Sequence, residues 1–217
     1  MKGAYLDHAS ATPVRKEVLE AMLPYFSEQF ANPSNVYDLG SKIKELIEEA
    51  RANIASLINA DPAQIVFTSS GAEANNLAIK GVAFAQQKKG NHIIVSSIEH
   101  HSVLNSARFL ERLDFEASFL PVDKNGLIDP ERLASAIRPE TILVSIMHAN
   151  TEIGTIEPIS ELASICKEKE VAFHTDAVAA VGNTPVDVNA LNVDLLSLSG
   201  PSLGAPKAVS YTHLRAH

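Results

Sequence analysis

The sequence has a single cysteine, few aromatic residues and no long apolar run, and each shortage excludes a class of protein. Cys166 stands alone among 217 residues, so disulfide bonds within the chain are impossible and a reducing, cytoplasmic compartment is expected. No apolar run approaches the roughly 20 residues that a membrane-spanning helix needs. The chain reaches Asp7 before an apolar segment can form, so a secretory signal is not expected.

Positive charge is also scarce. Eighteen Lys and Arg residues against 26 Asp and Glu residues give a net charge of −8, and no basic stretch is dense enough to follow a phosphate backbone. Nucleic acid is therefore not expected as a partner. With 46% hydrophobic and 20% charged residues, the composition is typical of a globular domain that buries a sizeable core.

Short runs rich in β-branched residues alternate with amphipathic stretches. The runs predict strands at 64–70, 92–97, 115–122, 141–147, 171–176 and 193–199. Apolar residues return every three or four positions over 40–59 and 158–170, which predicts helices there. Cys166 falls on the apolar face of the second helix, which favours a core residue over a nucleophile.

This alternation predicts an α/β fold with a mostly parallel sheet covered by helices on both faces. Ligands of such sheets bind beyond the carboxyl ends of the strands. No repeat or linker divides the first 200 residues, so one domain is expected over 1–207. The segment "AVSYTHLRAH", 208–217, does not continue the alternation of strands and helices. It is interpreted either as the result of truncation or as an appended tail.

One strand end has the composition of a phosphate site. In "VFTSSGAEANN" the predicted strand runs into small residues, including Gly71 and Ala72, and a helix is predicted to begin near Glu73. Backbone N–H groups at a helix start can approach a phosphate, and the helix dipole favours its charge. A capped helix after a tight turn would explain the same residues.

Two further strand ends carry titratable groups. Glu99, His100 and His101 follow the strand at 92–97, and each histidine could bond to nearby backbone or take part in chemistry. His174 and Asp176 alternate at the end of 171–176 and so point to one face. Asp176 could cap a helix or hold a cationic ring nitrogen. A phosphate cradle, an imidazole and a carboxylate together fit pyridoxal phosphate.

Seven segments, in order between Tyr5 and Lys207, carry a family resemblance: "YLDHASATPV", "ANPSNVYDLG", "FTSSGAEANNLAIKG", "EHHSVL", "SIMHANTEIGTIEPI", "FHTDAV" and "VDLLSLSG". They resemble the cysteine desulfurases of the nitrogen-fixation and iron–sulfur-cluster type, which belong to the class V aminotransferase group of fold type I. The resemblance implies that the chain is the amino-terminal half of a homodimeric enzyme, folded as its large cofactor-binding domain. The carboxyl half would carry the mobile-loop cysteine and the substrate-binding arginine.

The resemblance also implies a reaction and a set of roles. L-cysteine would become L-alanine, and its sulfur would pass as a persulfide to an acceptor or scaffold protein. His100 would stack on the pyridine ring and move protons, and Asp176 would keep the ring nitrogen protonated. The positions implied to bind pyridoxal phosphate are Gly71, Ala72, His100, Asn150, Thr151, Asp176 and Ser199. No metal is implied.

The chain departs from the family pattern where that pattern reads Ser-Gly-His-Lys. Here Ser199 and Gly200 are followed by Pro201 and Ser202, so the catalytic Schiff-base lysine is replaced by Ser202. Lys207 matches a later lysine of the pattern.

Three cofactor contacts of the family also differ. Ala72 stands where threonine is common, Ala179 where glutamine is usual and Thr151 where asparagine is usual. Each change removes a hydrogen bond that contributes about 0.5–1.5 kcal/mol. Weaker cofactor binding is therefore expected, and the loss of the Schiff-base lysine at Ser202 predicts an inactive chain.

Two accounts of Pro201 and Ser202 compete. A degenerate homologue would have kept the fold and lost the chemistry. In the second account, which we favour, CACAAG for His-Lys becomes CCAAGC for Pro-Ser by loss of an A and gain of a C. The final "VSYTHLRAH" also resembles translated sequencing-adapter material. Another class V enzyme, such as a selenocysteine lyase or an aminotransferase, and a non-catalytic scaffold are the alternative functions.

Overall fold

The computed structural model describes residues 3–8, 11–207 and 210–214. The helices in these ranges are α1 (Lys16–Met22), α2 (Pro24–Ser27), α3 (Asp38–Leu57), α4 (Gly71–Gln86), α5 (His101–Glu111), α6 (Pro130–Ala136), α7 (Ile159–Glu168) and α8 (Val188–Leu191). The strands are β1 (Ile65–Thr68), β2 (His92–Ser96), β3 (Glu116–Leu120), β4 (Thr141–Ser145), β5 (Ala172–Asp176), β6 (Leu195–Ser199) and β7 (Ser210–Leu214). Short 3-10 turns cover Pro62–Gln64 and Gly200–Leu203.

The strands form one sheet in the order β1-β7-β6-β5-β4-β2-β3. Strands β3, β2, β4, β5 and β6 are parallel neighbours, and β7 pairs antiparallel with both β6 and β1. Successive strand residues enter opposite apolar clusters: Ile94 and Val144 pack in one, Ile93 and Leu143 in the other. The sheet is therefore buried on both faces, and the predicted α/β fold class is confirmed.

The predicted strands and helices are found within a few residues of their expected bounds. No strand is predicted from the sequence within 208–217, yet the structure forms β7 there, with Ser199 opposite Ser210 and Thr212 buried. Without β7, the facing edges of β6 and β1 would be left unpaired. A segment that contains β-branched and aromatic residues can pair with both edges. The interpretation of 208–217 as an added tail stays a prediction, and residues 208, 209 and 215–217 lie outside the described residues.

Across 3–8, 11–207 and 210–214, no helix combines the length and the apolar character needed to cross a membrane. The long helix α3 is amphipathic, and its buried residues are Gly40 and Ala55.

Cys166 lies on α7 and is completely buried in the larger apolar cluster, among neighbours such as Leu162 and Phe173. Burial raises the pKa of its thiol to about 12, and the nearby charge of Asp194 acts in the same direction. The prediction that Cys166 is a core residue is confirmed.

We expect Cys166 to resist alkylation by iodoacetamide in the folded chain at pH 8, because the reactive thiolate is scarce and the sulfur is inaccessible. Intact-mass measurement should show no modification without denaturant and complete modification in concentrated urea. Complete alkylation of a chain that keeps its unfolding transition would contradict this assignment.

Candidate functional site

The carboxyl ends of β5 and β6 lie beside the start of α4. Asp176 is opposite Ser197 in the strand register, and Ser199 ends β6 two residues later. A Cβ atom on Gly71 would lie 2.8 Å from Val178 Cγ2 and 3.8 Å from Ser199 Cβ. Glycine at 71 therefore lets α4 approach the segment after β5 closely, and it places the predicted phosphate turn next to Ser199.

The start of α4 is both a capped helix and a possible anion site. Ser70 Oγ accepts a hydrogen bond from the Glu73 N–H at 3.1 Å. The Glu73 carboxylate accepts from the N–H and the hydroxyl of Ser69, both at 2.6 Å, and the hydroxyl bond is the main cause that lowers its pKa. Gly71 and Ala72 occupy the first two positions of the helix, whose N–H groups have no acceptor within a helix. The helix begins two residues earlier than predicted.

His100 precedes α5 and serves as its N-cap. Its ring Nδ1 accepts from the Ser102 N–H at 3.2 Å and lies 2.8 Å from Ser102 Oγ. The backbone-partner interpretation is confirmed. The ring remains exposed, and its functional role stays a prediction. His101 is also exposed, and its ring centroid lies 6.3 Å from that of His100.

Asp176 ends β5 and is 4% exposed. Its Oδ1 accepts from the Val178 N–H at 3.0 Å, and its Oδ2 accepts from Asn75 Nδ2 at 2.7 Å. Burial raises its pKa, while these two hydrogen bonds and the charge of His100 act in the opposite direction. Residues 177–181 form turns and a bridge, so the helix-cap interpretation of Asp176 is wrong.

His174 points to the same face as Asp176, but both of its ring nitrogens contact serine hydroxyls on neighbouring strands. Its Nδ1 lies 2.8 Å from Ser145 Oγ and its Nε2 lies 3.0 Å from Ser197 Oγ, which links β4, β5 and β6. Complete burial lowers its pKa to about 3. The ring is therefore neutral at physiological pH and fully engaged.

Asn150 holds the turn after β4. Its Oδ1 accepts from the N–H groups of Glu152 and Ile153 at 2.8 and 3.2 Å, and its Nδ2 donates to the Ile98 carbonyl at 3.1 Å. This last bond ties the turn to the segment that carries His100. Thr151 is exposed in the same turn. The roles predicted for Asn150 and Thr151 beside a ring stay predictions.

Ser202 lies in the 3-10 turn after β6 and is half-buried. Its hydroxyl donates to the Ser199 carbonyl at 2.7 Å, within its own loop. The adjacent Pro201 carbonyl accepts from Thr12 Oγ1 at 2.8 Å. Lys207 is exposed at the far end of this loop. The position implied for a Schiff-base lysine therefore holds a hydroxyl that cannot supply an amine.

The residues fit pyridoxal phosphate in its non-covalent contacts. A helix start whose first N–H groups have no acceptor within the helix adjoins Ser199, a buried carboxylate lies at 176 and an imidazole is exposed at 100. They do not fit a covalent attachment at Ser202, and Ala72 and Ala179 lack the polar groups expected at their positions. In the described part of the chain, no group of three or more His, Cys, Asp or Glu residues could hold a metal ion.

Comparison with known proteins gives a consistent result. The Aminotransferase class-V family matches residues 4–216. Cysteine desulfurase IscS of Dictyoglomus turgidum is 55% identical over 97% of this chain and 54% of its own length, and that of Methanosarcina thermophila is 53% identical over 99% and 53%. The chain spans about half the length of the curated relatives it matches.

Solved structures also resemble this chain over nearly its whole length. A structure described as SspA in complex with cysteine superposes with a TM-score of 0.94 at 42% identity, covering 98% of this chain and 61% of that one. A NifS-like protein gives a TM-score of 0.95 at 35% identity, covering 98% and 59%.

Three side chains near the site are not predicted from the sequence as site residues: Asn75, Glu99 and Ser102. The sequence indicates weakly that Asn75 is buried, because it shares one face of the predicted helix with Ala74, Ala78 and Ile79. Glu99 is 5% exposed, and its Oε1 accepts from Ser96 Oγ at 2.6 Å and from the Met147 N–H at 2.7 Å. Nothing in the spacing of these residues indicates such contacts.

Burial raises the pKa of Glu99 from 4.5 to about 8, so the folded chain binds this proton more tightly than the unfolded chain. Its contribution to stability is therefore present below about pH 4.5 and is lost as the pH rises through about 8. We expect Glu99→Gln to reduce the loss of unfolding free energy between pH 5 and 9, by on the order of 3–5 kcal/mol. Urea unfolding at several pH values measures this, and parallel pH profiles for both chains would refute it.

Proposed function

This chain belongs to the class V aminotransferase family, and we propose that it is part of a pyridoxal-phosphate-dependent cysteine desulfurase. The reaction converts L-cysteine to L-alanine and passes the sulfur as a persulfide to an acceptor protein for iron–sulfur cluster or other sulfur-cofactor assembly. The relatives that carry this name support the assignment over nearly the whole chain. The proposal extends to a homodimer in the cytoplasm.

The observation that carries the proposal is the buried Asp176 carboxylate at the end of β5, beside the start of α4 and Ser199. Pyridoxal phosphate, when bound, supplies an electron sink for bonds at the substrate Cα. The N–H groups of Gly71 and Ala72 and the Ser199 hydroxyl would bind its phosphate. Asp176 would hold a proton on the ring nitrogen by charge attraction.

His100 would contact the ring and move protons. Its Nδ1 is occupied by Ser102, so Nε2 is the atom left to exchange a proton with the substrate. Asn150 and Thr151 would lie beside the ring and its phenolic oxygen. Asn150 also anchors the segment before His100 through the Ile98 carbonyl, which limits the movement of the imidazole.

A second candidate function is favoured by Ser202. A chain with a hydroxyl at this position keeps the fold and the non-covalent contacts but lacks the amine for covalent attachment. Such a chain would act as a non-catalytic scaffold or regulatory partner. Another class V activity, that of a selenocysteine lyase or an aminotransferase, would use the same large domain.

Incubation with pyridoxal phosphate followed by borohydride reduction should leave no adduct on the 199–207 loop of this chain, because Ser202 has no amine. The Pro201→His, Ser202→Lys variant should gain an adduct at position 202. Peptide mapping by mass spectrometry reads both results, with the other lysines as the background. A reduced adduct at Lys207 of the unaltered chain would overturn the assignment of position 202.

The desulfurase activity itself needs a family-like carboxyl half. We expect the repaired chain, joined to such a half, to release alanine and sulfide from cysteine. Asp176→Asn in that protein should lower turnover by about two orders of magnitude or more, because the neutral amide no longer favours the protonated ring nitrogen. Cofactor binding without release of alanine would refute the desulfurase function, and near-normal turnover of Asp176→Asn would refute the role of Asp176.

A further inference from the structure

The side chain of Asn75 lies between the two groups that the proposed function assigns to the ring. Asn75 is on α4 and 1% exposed. Its Nδ2 donates to Asp176 Oδ2 at 2.7 Å and to Ser102 Oγ at 2.9 Å, so both amide hydrogens are used. The opposite orientation would place the amide oxygen against a carboxylate oxygen. Asp176 therefore fixes how the Asn75 amide points.

Ser102 extends this contact to His100. Because Ser102 Oγ accepts from Asn75, its own hydrogen is free to donate to His100 Nδ1, 2.8 Å away. The Ser102 N–H donates to the same ring nitrogen at 3.2 Å. With Nδ1 as an acceptor, the neutral ring carries its proton on Nε2. An unbroken row of hydrogen bonds thus joins the carboxylate on β5 to the imidazole before α5.

We infer that Asn75 and Ser102 are positioning residues of the pyridoxal phosphate site. The Asn75 amide donates to the Asp176 carboxylate and favours its ionised form, and Ser102 fixes the ring of His100 with Nε2 available to the ligand. This inference rests on the proposed function, since it assigns a purpose to contacts between residues of that site.

Packing alone gives no reason for an asparagine at this position. Asn75 Oδ1 is buried and has no hydrogen-bond partner among the described residues, so the amide leaves one polar atom unsatisfied. Its neighbours on the buried face of α4 include Ala74 and Ala78. An alanine would fill the same helical position without burying a polar group, whereas it could not donate to Asp176.

The charges around Asp176 show why a donor matters there. Burial opposes ionisation of the Asp176 carboxyl, and the charge of Asp176 in turn raises the pKa of Glu99 on the segment before α5. His100 on that segment acts in the opposite direction. His148, after β4, donates its backbone N–H to the Asp176 carbonyl, and His174 on β5 is neutral. Among the described residues, the Asn75 amide is the side-chain donor to the carboxylate.

The first test is the titration of the Asp176 carboxyl, followed by carbon-13 NMR in the chain without ligand. Asn75→Ala should raise the pKa of Asp176 by about 1, because a hydrogen bond to a charged group is lost. Asn76→Ala is the matched control: Asn76 donates to the Ala72 carbonyl within its own helix, and its loss should leave the titration unchanged. An unchanged pKa in a folded Asn75→Ala chain would overturn the inference.

Ser102→Ala gives a second measurement that does not depend on a buried substitution. It removes the hydroxyl donor to His100 and leaves the Asn75–Asp176 bond in place. Nitrogen-15 spectra at high pH should show a smaller excess of the Nε2-protonated tautomer of His100 in the variant than in the unaltered chain, because only the Ser102 N–H then donates to Nδ1. An equal tautomer ratio in both chains would overturn the role of the Ser102 hydroxyl.

Pyridoxamine 5′-phosphate separates this inference from the proposed function, because it binds without a lysine. We expect the unaltered chain and Asn76→Ala to bind it alike in isothermal titration calorimetry, and Asn75→Ala to bind about tenfold more weakly. Failure of the unaltered chain to bind would overturn the proposed function. Binding that is equal in the unaltered and Asn75→Ala chains would overturn the inference alone.

Discussion

Burial of the Asp176 carboxylate at the end of β5 constrains the elements around it. A charged group with 4% exposure is costly unless donors surround it. One donor comes from Val178 in the turn that follows, and the other comes from Asn75 on α4. The second donor requires α4 to lie close against the strand ends, and glycine at 71 permits that approach because a Cβ there would meet Val178. The hydrogen bond that Asn75 donates to the buried Asp176 carboxylate thus helps to fix the start of α4 beside Ser199.

The sequence predicts the elements well because their signals are local. Runs of β-branched residues and helical periodicity identify β1 to β6, α3 and α7, and the strand ends identify Gly71, His100 and Asp176 as candidates. Long-range contacts have no such signal. Asn75 and Asp176 are 101 residues apart, and only the fold shows that they are bonded. The sequence after a strand is similar whether a turn or a helix follows it. The residues next to Asp176 in the sequence therefore could not decide whether its side chain caps a helix. Strand β7 depends on two edges contributed by distant strands.

The loop around Ser202 shows how the chemistry of a site can be separated from its scaffold. Hydrogen bonds to its backbone carbonyls hold this loop: the Thr12 hydroxyl donates to the Pro201 carbonyl, and the Arg15 N–H donates to the Gly204 carbonyl at 2.9 Å. Gly204 adopts φ +77°, a conformation that glycine takes without strain. These two contacts do not use the side chain at 202, whose own hydrogen bond goes to the Ser199 carbonyl within the loop. The contacts to the amino-terminal segment are therefore compatible with either a serine or a lysine at 202, which agrees with a degenerate homologue and with a misread codon alike.

The charges at the strand ends indicate which ligands can be accommodated. Burial raises the pKa values of Asp176, Glu99 and Glu157 together, and Glu99 is also raised by the charges of the other two. A negatively charged ligand group placed among these three carboxyl groups would be disfavoured. A positively charged ligand group would lower the pKa of Asp176 and would be attracted to its carboxylate. The start of α4 has the opposite preference, because its N–H groups and dipole favour an anion. A ligand with a cationic ring and an anionic phosphate satisfies both ends of this site at once, whereas a neutral or wholly anionic ligand satisfies at most one.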